Sequence, residues 1–375
     1  MSEIKVNSIK GVSASVAALS INNTDGTCTA NITNNLSNRR LTINGAMTIA
    51  QRGVSSTTSG YGSVDRFGLF YGGTDEAPTQ EQVAVASGTT PYTLGFRKAF
   101  KVTNGNQTSG AGTTDYIRIS HRIEAGNMAT SGWNYTDPNS KITLSFWVKS
   151  SVAQSFKHFL LSRDGTILNY PFETGSLSAN TWTKVTKTIP GHASLQFDTD
   201  TEANTNYRGL DIVFALFYGT NYTSSVTENE WNTNTGQNHM ADNTSTWYTT
   251  NDATFEITGV QLEVGSVATD FEHRSFGQEL ALCQRYFYAL NNGGTVNRWF
   301  FPIEATASHR RLTIDFPTTM RAAPTVENFT GGDGESLSGN YGSQRMDPDS
   351  GTLYWDASGA SGLRSLGSCS FQAEL

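Results

Sequence analysis

Residues 210–218, LDIVFALFY, are apolar on both strand parities, with Leu210, Ile212 and Phe214 on one side and Val213, Ala215 and Phe217 on the other. Nine residues rich in β-branched and aromatic side chains read as a strand, and apolar character on both faces requires cover on both faces. The chain must therefore build a sheet in which this strand is central and neither of its faces meets water. A cleaner alternation lies upstream in KITLSFWVKS, where Ile142, Leu144, Phe146 and Val148 interleave with Thr143, Ser145, Trp147 and Lys149. TDYIRISHRIE sets Ile117, Ile119, His121 and Ile123 on one face, and SFKHFLLSRDGTILNYPF reads as two strands around Asp164-Gly165.

The same pattern predicts a register change in ITGVQLEV. Phe255 and Ile257 share one parity, while Val260, Leu262 and Val264 share the other. One residue must be absorbed between them, and Gly259 is the natural site for a β-bulge. RRLTINGAMTIAQRG carries turn chemistry at Asn44-Gly45 and predicts a hairpin. Many short strands, Gly-rich turns and few helical periods predict an all-β chain: an antiparallel jelly-roll β-sandwich followed by a smaller C-terminal β-sandwich domain.

Residues 1–36 are poor in aromatics and rich in Asn and Thr, which predicts an extended segment that gains order by docking on a partner. The opening MSEIKVNSIKGVSASVAALSI is punctuated by Ser and Gly and holds Glu3 among its charges, so it reads as a leader rather than a signal peptide. The expected organisation is a leader over 1–36, a jelly-roll body over 37–275 and a β domain over 276–375. Between body and tip, SFGQELALCQRYFYAL predicts a short helical or extended connector.

Charged residues make up 16% of the chain, against roughly 25% in a typical soluble domain, and the net charge is −7. Nucleic-acid binding rests on clustered Lys and Arg, so that class is excluded. No apolar run is long enough to span a bilayer, which argues against membrane insertion. The three cysteines, Cys28, Cys283 and Cys369, are far apart and form no CxxC, so neither a zinc cluster nor a disulfide framework is expected.

These residues also carry a resemblance. NRRLTINGAMTIAQRG, YGSVDRFG, RIEAG, ITLSFWVKSS, WTKVTKTIPG, ITGVQLEVGSVATDFEHRSFGQELALCQRYF and FPTTMRAAPTV, in that order, resemble a family of bacteriophage tail-fibre and related virion-appendage proteins of marine phage type. The resemblance covers most of the chain, and the leader MSEIKVNSIKG is similar to the virion-proximal starts of such proteins. Its central portion resembles jelly-roll carbohydrate-binding modules. What the resemblance implies is a non-enzymatic virion structural protein: a homotrimeric tail fibre for host adhesion, attached through residues 1–36 to other tail or capsid proteins. The alternatives are a capsid-attached fibre or decoration protein, and a glycan-degrading tailspike. Two departures keep an aromatic ring: Phe67 follows Asp65-Arg66 where the family carries Trp, and Phe287 follows Tyr286 where it carries Tyr.

Three groups of residues are candidates for chemistry. Asp270, His273 and Cys283 offer an acid, a base and a thiol, but no protease signature surrounds the cysteine, and the stretch reads as a packed domain joint. Asp198, Asp200 and Glu202 form an acidic loop that is a candidate calcium site; it lacks the Gly and Glu of an EF-hand, and a solvated loop is the competing reading. Tyr218, Tyr222, Trp231, Trp247 and Tyr248 lie among Asn, Thr and Asp, the combination that sugar recognition uses, with host surface polysaccharide as the partner. The competing reading is that these rings anchor a long loop. GxSxG, HExxH and GxxxxGK are absent, so no catalytic residue and no cofactor beyond a structural calcium is expected, and His121 reads as a core histidine.

Overall fold

The computed structural model describes residues 39–197, 207–236, 238–290, 309–331, 341–356 and 365–375, with the short pieces 6, 8–9, 19–21, 28–30, 298–299 and 304–305. Among the described residues the body is a sandwich of twelve strands: β1 (Ser55–Ser56), β2 (Phe67–Gly72), β3 (Thr79–Ala84), β4 (Lys98–Thr103), β5 (Tyr116–Glu124), β6 (Lys141–Ser150), β7 (Lys157–Ser162), β8 (Leu168–Glu173), β9 (Thr183–Pro190), β10 (Arg208–Tyr218), β11 (Asn232–Thr233) and β12 (Thr254–Val264). One sheet has the order β11-β8-β7-β10-β5-β2 and the other β9-β6-β12-β4-β3-β1, with all pairings antiparallel. The chain crosses repeatedly between the sheets, while β3–β4 and β7–β8 pair as consecutive strands within one sheet.

The alternation decides which side chains meet between the sheets. Ile142, Leu144, Phe146 and Val148 of β6 face Ile117, Ile119, Ile212 and Phe214 in one continuous core. Strand β10 lies between β7 and β5, and its second face is also covered. There Val213 and Ala215 pack with Phe159, Leu161 and Met240, the last delivered by the loop that follows β11. His121 is a buried core residue, its Nδ1 3.1 Å from the Arg66 carbonyl, and burial pushes its pKa well down. Phe67 packs against it, ring centroids 4.6 Å apart and tilted by 32°, and is fully buried, a packing role for the first of the two departures noted above.

The register change in β12 occurs between Thr258 and Gln261. Gly259 sits there at φ +63°, with the Phe96 ring where a Cβ would be, 2.7 Å away. The predicted hairpin at Asn44-Gly45 does not form. Asn44 takes the left-handed conformation that its turn chemistry favours (φ +58°), but the flanking residues pair with β12 rather than with each other. Leu41 donates to the Leu262 carbonyl and Val260 to that of Gly45, so residues 39–49 form a strap along the last strand of the body. A local turn code sets local dihedrals; the partner strand is chosen by what the strap can bury.

The helix Phe276–Gln284 follows, started by a capping box between Ser275 and Gln278. Beyond it, Phe287–Leu290, Ser365–Gln372 and Arg298–Trp299 form a sheet that Thr325–Gly331 joins through Ser365–Gln372, and Glu304–Ala305, His309–Asp315, Ser350–Asp356 and Tyr341–Gln344 form a second. Leu312, Ile314, Leu353 and Phe371 share the core of this smaller unit. Within the leader, Ser8–Ile9, Leu19–Ile21 and Cys28–Ala30 pair as a short antiparallel sheet, so these pieces are not simply extended; its other residues lie outside the described ones. Among the described residues no helix is long and apolar enough to cross a membrane.

Candidate functional site

The structure separates the Asp270, His273 and Cys283 trio. Cys283 is buried with Ile43, Ile49, Tyr286 and Leu375, and burial raises its thiol well above the ordinary range. His273 is exposed, its Nε2 3.0 Å from the Leu94 carbonyl. A thiolate nucleophile needs the opposite conditions, a lowered pKa and a base in reach. The stretch is a joint, and its polar residues show how it is made. Gln261 and Glu263 project from the outer face of β12 and hold the segment that returns over it. Glu263 accepts from the Thr269 amide at 2.8 Å, and Gln261 from the Glu272 amide at 2.8 Å. Glu272 in turn accepts from the Arg40 amide, and Arg274 donates to the Arg40 carbonyl at 2.5 Å. Arg40 pairs with Glu279 on the helix, which also takes the Asn44 amide. Strap, last strand and helix are thus locked by buried ion pairs, although Nε and Nη1 of Arg40 have no hydrogen-bond partner among the described residues.

A recess of about 870 Å3 opens beside this joint, lined by Arg40, Arg274, Arg285 and Glu272 among others. Its cations are already paired: Arg40 and Arg274 with Glu279 and Glu272, and Arg285 with Glu124 at 2.9 Å. The recess offers no net charge to a ligand.

The five aromatic candidates do not form one exposed platform. Trp247 and Tyr248 are core residues: Trp247 donates from Nε1 to the Thr254 carbonyl at 3.1 Å, and Tyr248 stacks on Phe217 at 4.2 Å while donating to Asp115. Neither ring offers a face to a ligand, because the loop uses them to anchor itself on the sandwich. Tyr218 is buried at the end of β10 and accepts from Arg118 at 3.0 Å. Tyr222 is half-buried against Tyr116 and Tyr218, and Trp231 is half-buried against Tyr170 with Nε1 donating to Pro190. Asp198, Asp200 and Glu202 lie outside the described residues. Among the described residues no group of three or more His, Cys, Asp or Glu could hold a metal ion.

A cleft of about 220 Å3 lies elsewhere, on the outer face of the sheet that holds β6 and β12. Trp147 is its wall. Because Phe146 and Val148 face the core, Trp147 faces outward, in register with Lys184 of β9 and Thr258 of β12. The returning segment supplies the opposite wall, with Phe271 edge-on to Phe96 at 4.9 Å and His273 at 4.9 Å from Phe271. Ser145 and Gly259 also line the cleft, together with Lys184 and Asp270. Sequence patterning puts Trp147 on the second face of its strand, where a core or interface role is the expectation. It does not show the roof, which comes from residues more than a hundred positions later.

No family model matches the chain, and no curated protein matches it in sequence. Similar solved structures include an enzymatically active domain of tailspike protein 4 from bacteriophage CBA120, at 12% identity, over 53% of this chain and 19% of that one, with TM-score 0.29. Others are the N-terminal cellulose-binding domain of a β-1,4-glucanase from Cellulomonas fimi (13% identity, 58% of this chain and 98% of that, TM-score 0.29) and a xylan-binding domain from Paenibacillus barcinonensis (10%, 53% and 87%, TM-score 0.26). This chain thus spans less than a fifth of the length of the tailspike chain. Likenesses at this level carry no weight for function, which rests on the geometry of the chain itself.

Proposed function

We propose that the chain is a non-enzymatic structural protein of a bacteriophage particle, a homotrimeric tail fibre that adheres to a glycan on the host surface. In this reading residues 1–36 dock on other tail or capsid proteins, and the remainder projects from the particle. The sequence resemblance supports the setting. The observation that carries adhesion rather than hydrolysis is the makeup of the cleft beside Trp147. Its walls are aromatic, and Asp270 is the one carboxylate among the described residues lining it. Glycosidic cleavage needs two carboxyl groups set across the bond, whereas binding needs only a ring face and polar groups at its edge.

Antibody raised against the chain tests this. Gold-labelled, it should mark an external appendage of the virus that encodes the chain and block adsorption of that virus to its host. Labelling of the capsid with adsorption unaffected would select the capsid-attached fibre or decoration protein instead. Release of reducing sugar from host polysaccharide by the purified chain would overturn the non-enzymatic reading in favour of a tailspike.

A further inference from the structure

We propose that the cleft beside Trp147 is a saccharide subsite for one uncharged pyranose, with the sugar face against the indole and its hydroxyls bridging Lys184 and Asp270. The inference rests on the adhesion reading and deepens it by naming the site and the ligand class. On the outer face of a sheet the default occupant is polar, as Thr143 and Lys149 are on the same strand. Trp147 breaks that pattern and is only half-buried there. A flat ring left partly open between aromatic walls is a platform for the apolar face of a sugar.

The walls are held by the protein's own contacts. Thr269 is held by both oxygens of Glu263, the Asp270 carbonyl accepts from Arg39, and Phe271 packs on Phe96. A site built this way loses little freedom on binding. The rim supplies the chemistry. Among the described residues neither the Lys184 ammonium nor the Asp270 carboxylate has a hydrogen-bond or ion-pair partner. One is donor only and the other acceptor only, so a hydroxyl, which both donates and accepts, satisfies either. A sugar carboxylate brought to Lys184 would also face Asp270, so attraction and repulsion offset while its desolvation goes uncompensated, and an uncharged ring is favoured.

The test titrates the full-length chain with the methyl glycosides of glucose, galactose, mannose and N-acetylglucosamine, with glucuronic acid as charged comparator. Binding is read by tryptophan fluorescence and saturation-transfer NMR. At least one uncharged glycoside should bind, more tightly than glucuronic acid. Trp147→Ala should abolish that binding, and Asp270→Asn and Lys184→Ala should each weaken it about tenfold, the loss of one charge-assisted hydrogen bond. The two rim variants should keep the wild-type melt, so they decide the question even if Trp147→Ala fails to fold. Binding that survives all three variants, or a preference for glucuronic acid, overturns the assignment. So does binding lost in Trp231→Ala but kept in Trp147→Ala, which would place the site in the long loop. A change of oligomeric mass in Trp147→Ala would instead make the cleft a seat for a second copy. If no glycoside binds, the subsite fails, and the adhesion reading fails with it only if antibody also leaves adsorption unblocked.

Discussion

The guanidinium of Arg66 lies 3.4 Å from the centre of the Tyr286 ring while its Nη1 pairs with Glu374. Around this contact Arg52 stacks on Phe287 at 3.6 Å and reaches Glu374 at 3.3 Å, and Arg285 and Tyr286 both bond Glu124. The body and the C-terminal residues 285–287 and 374 therefore meet through cations, Arg66 and Arg52 buried among them, that are stacked and paired at once. Removing one partner should be costly. Glu374→Gln leaves two arginines short of a carboxylate and should cost about 3 to 5 kcal/mol, whereas Arg66→Met combined with Glu374→Leu should cost less. Urea titrations of the two variants check the order.

Cys283 is expected to be inert in the fold. Its thiol is raised by burial, so iodoacetamide at pH 8 should label it only after unfolding. Cys283→Ala should cost about 1 to 2 kcal/mol and leave adsorption unchanged at low temperature. Loss of adsorption with an unchanged melt would restore a chemical role to the thiol.

Trp247→Ala empties a fully buried site and should cost about 3 to 5 kcal/mol. Because the ring anchors the loop, any loss of ligand affinity should follow the melting temperature. Trp231→Ala, at a half-buried position, should cost less. Thermal melts of the two variants side by side check this.

The pH dependence follows from buried histidines. His158 sits among the rings of Phe146, Phe172, Phe214 and Phe255, and burial pushes it down to about 3; His239 is pushed to about 4, and His121 is also well below its usual range. In the unfolded chain these groups take up protons near pH 6.5. The unfolded state then binds more protons, so stability is full above about pH 6.5 and is lost as pH falls below it. The slope is at most about 1.4 kcal/mol per pH unit for each histidine. Asp65, which burial raises to about 6, has the opposite sign: its contribution is present at low pH and lost as pH rises through 6. Urea midpoints should therefore fall between pH 7 and pH 5, and His158→Leu should flatten that fall.

Gly45→Ala should be worse than most surface changes. A Cβ there would lie 2.0 Å from the Val260 carbonyl oxygen, which is backbone and cannot step aside. The variant should lose the strap, seen as faster amide exchange at Leu41 and Val260.

What the sequence shows and what it hides divide along one line. Period-two patterns expose the facing residues of β6, the double cover of β10 and the bulge at Gly259, because each is a property of a single strand. Asn44-Gly45 misleads because the same left-handed turn serves a hairpin or a strap, and the choice depends on Val260 and Glu279 far along the chain. Trp247 and Trp231 look alike among polar neighbours, and only the fold decides which one the loop buries. The cleft is legible only in part: the pattern puts Trp147 on the second face of its strand but reads it as core or interface, and the roof is hidden in the return of residues 265–274.

The strap also sets a clock. Arg40 and Asn44 find their partner, Glu279, 239 and 235 positions later. At a synthesis rate of roughly 5 to 20 residues per second, about 12 to 48 s pass on the ribosome before that partner exists. Until then Arg40 and the Asn44 amide lack the carboxylate they bond in the fold, and the strap cannot be locked to the helix. Final closure is therefore a late event in the life of each new chain. Until it occurs, residues 260–264 of β12, which pair with the strap rather than with β4, are open on that side to whatever else is in the cell.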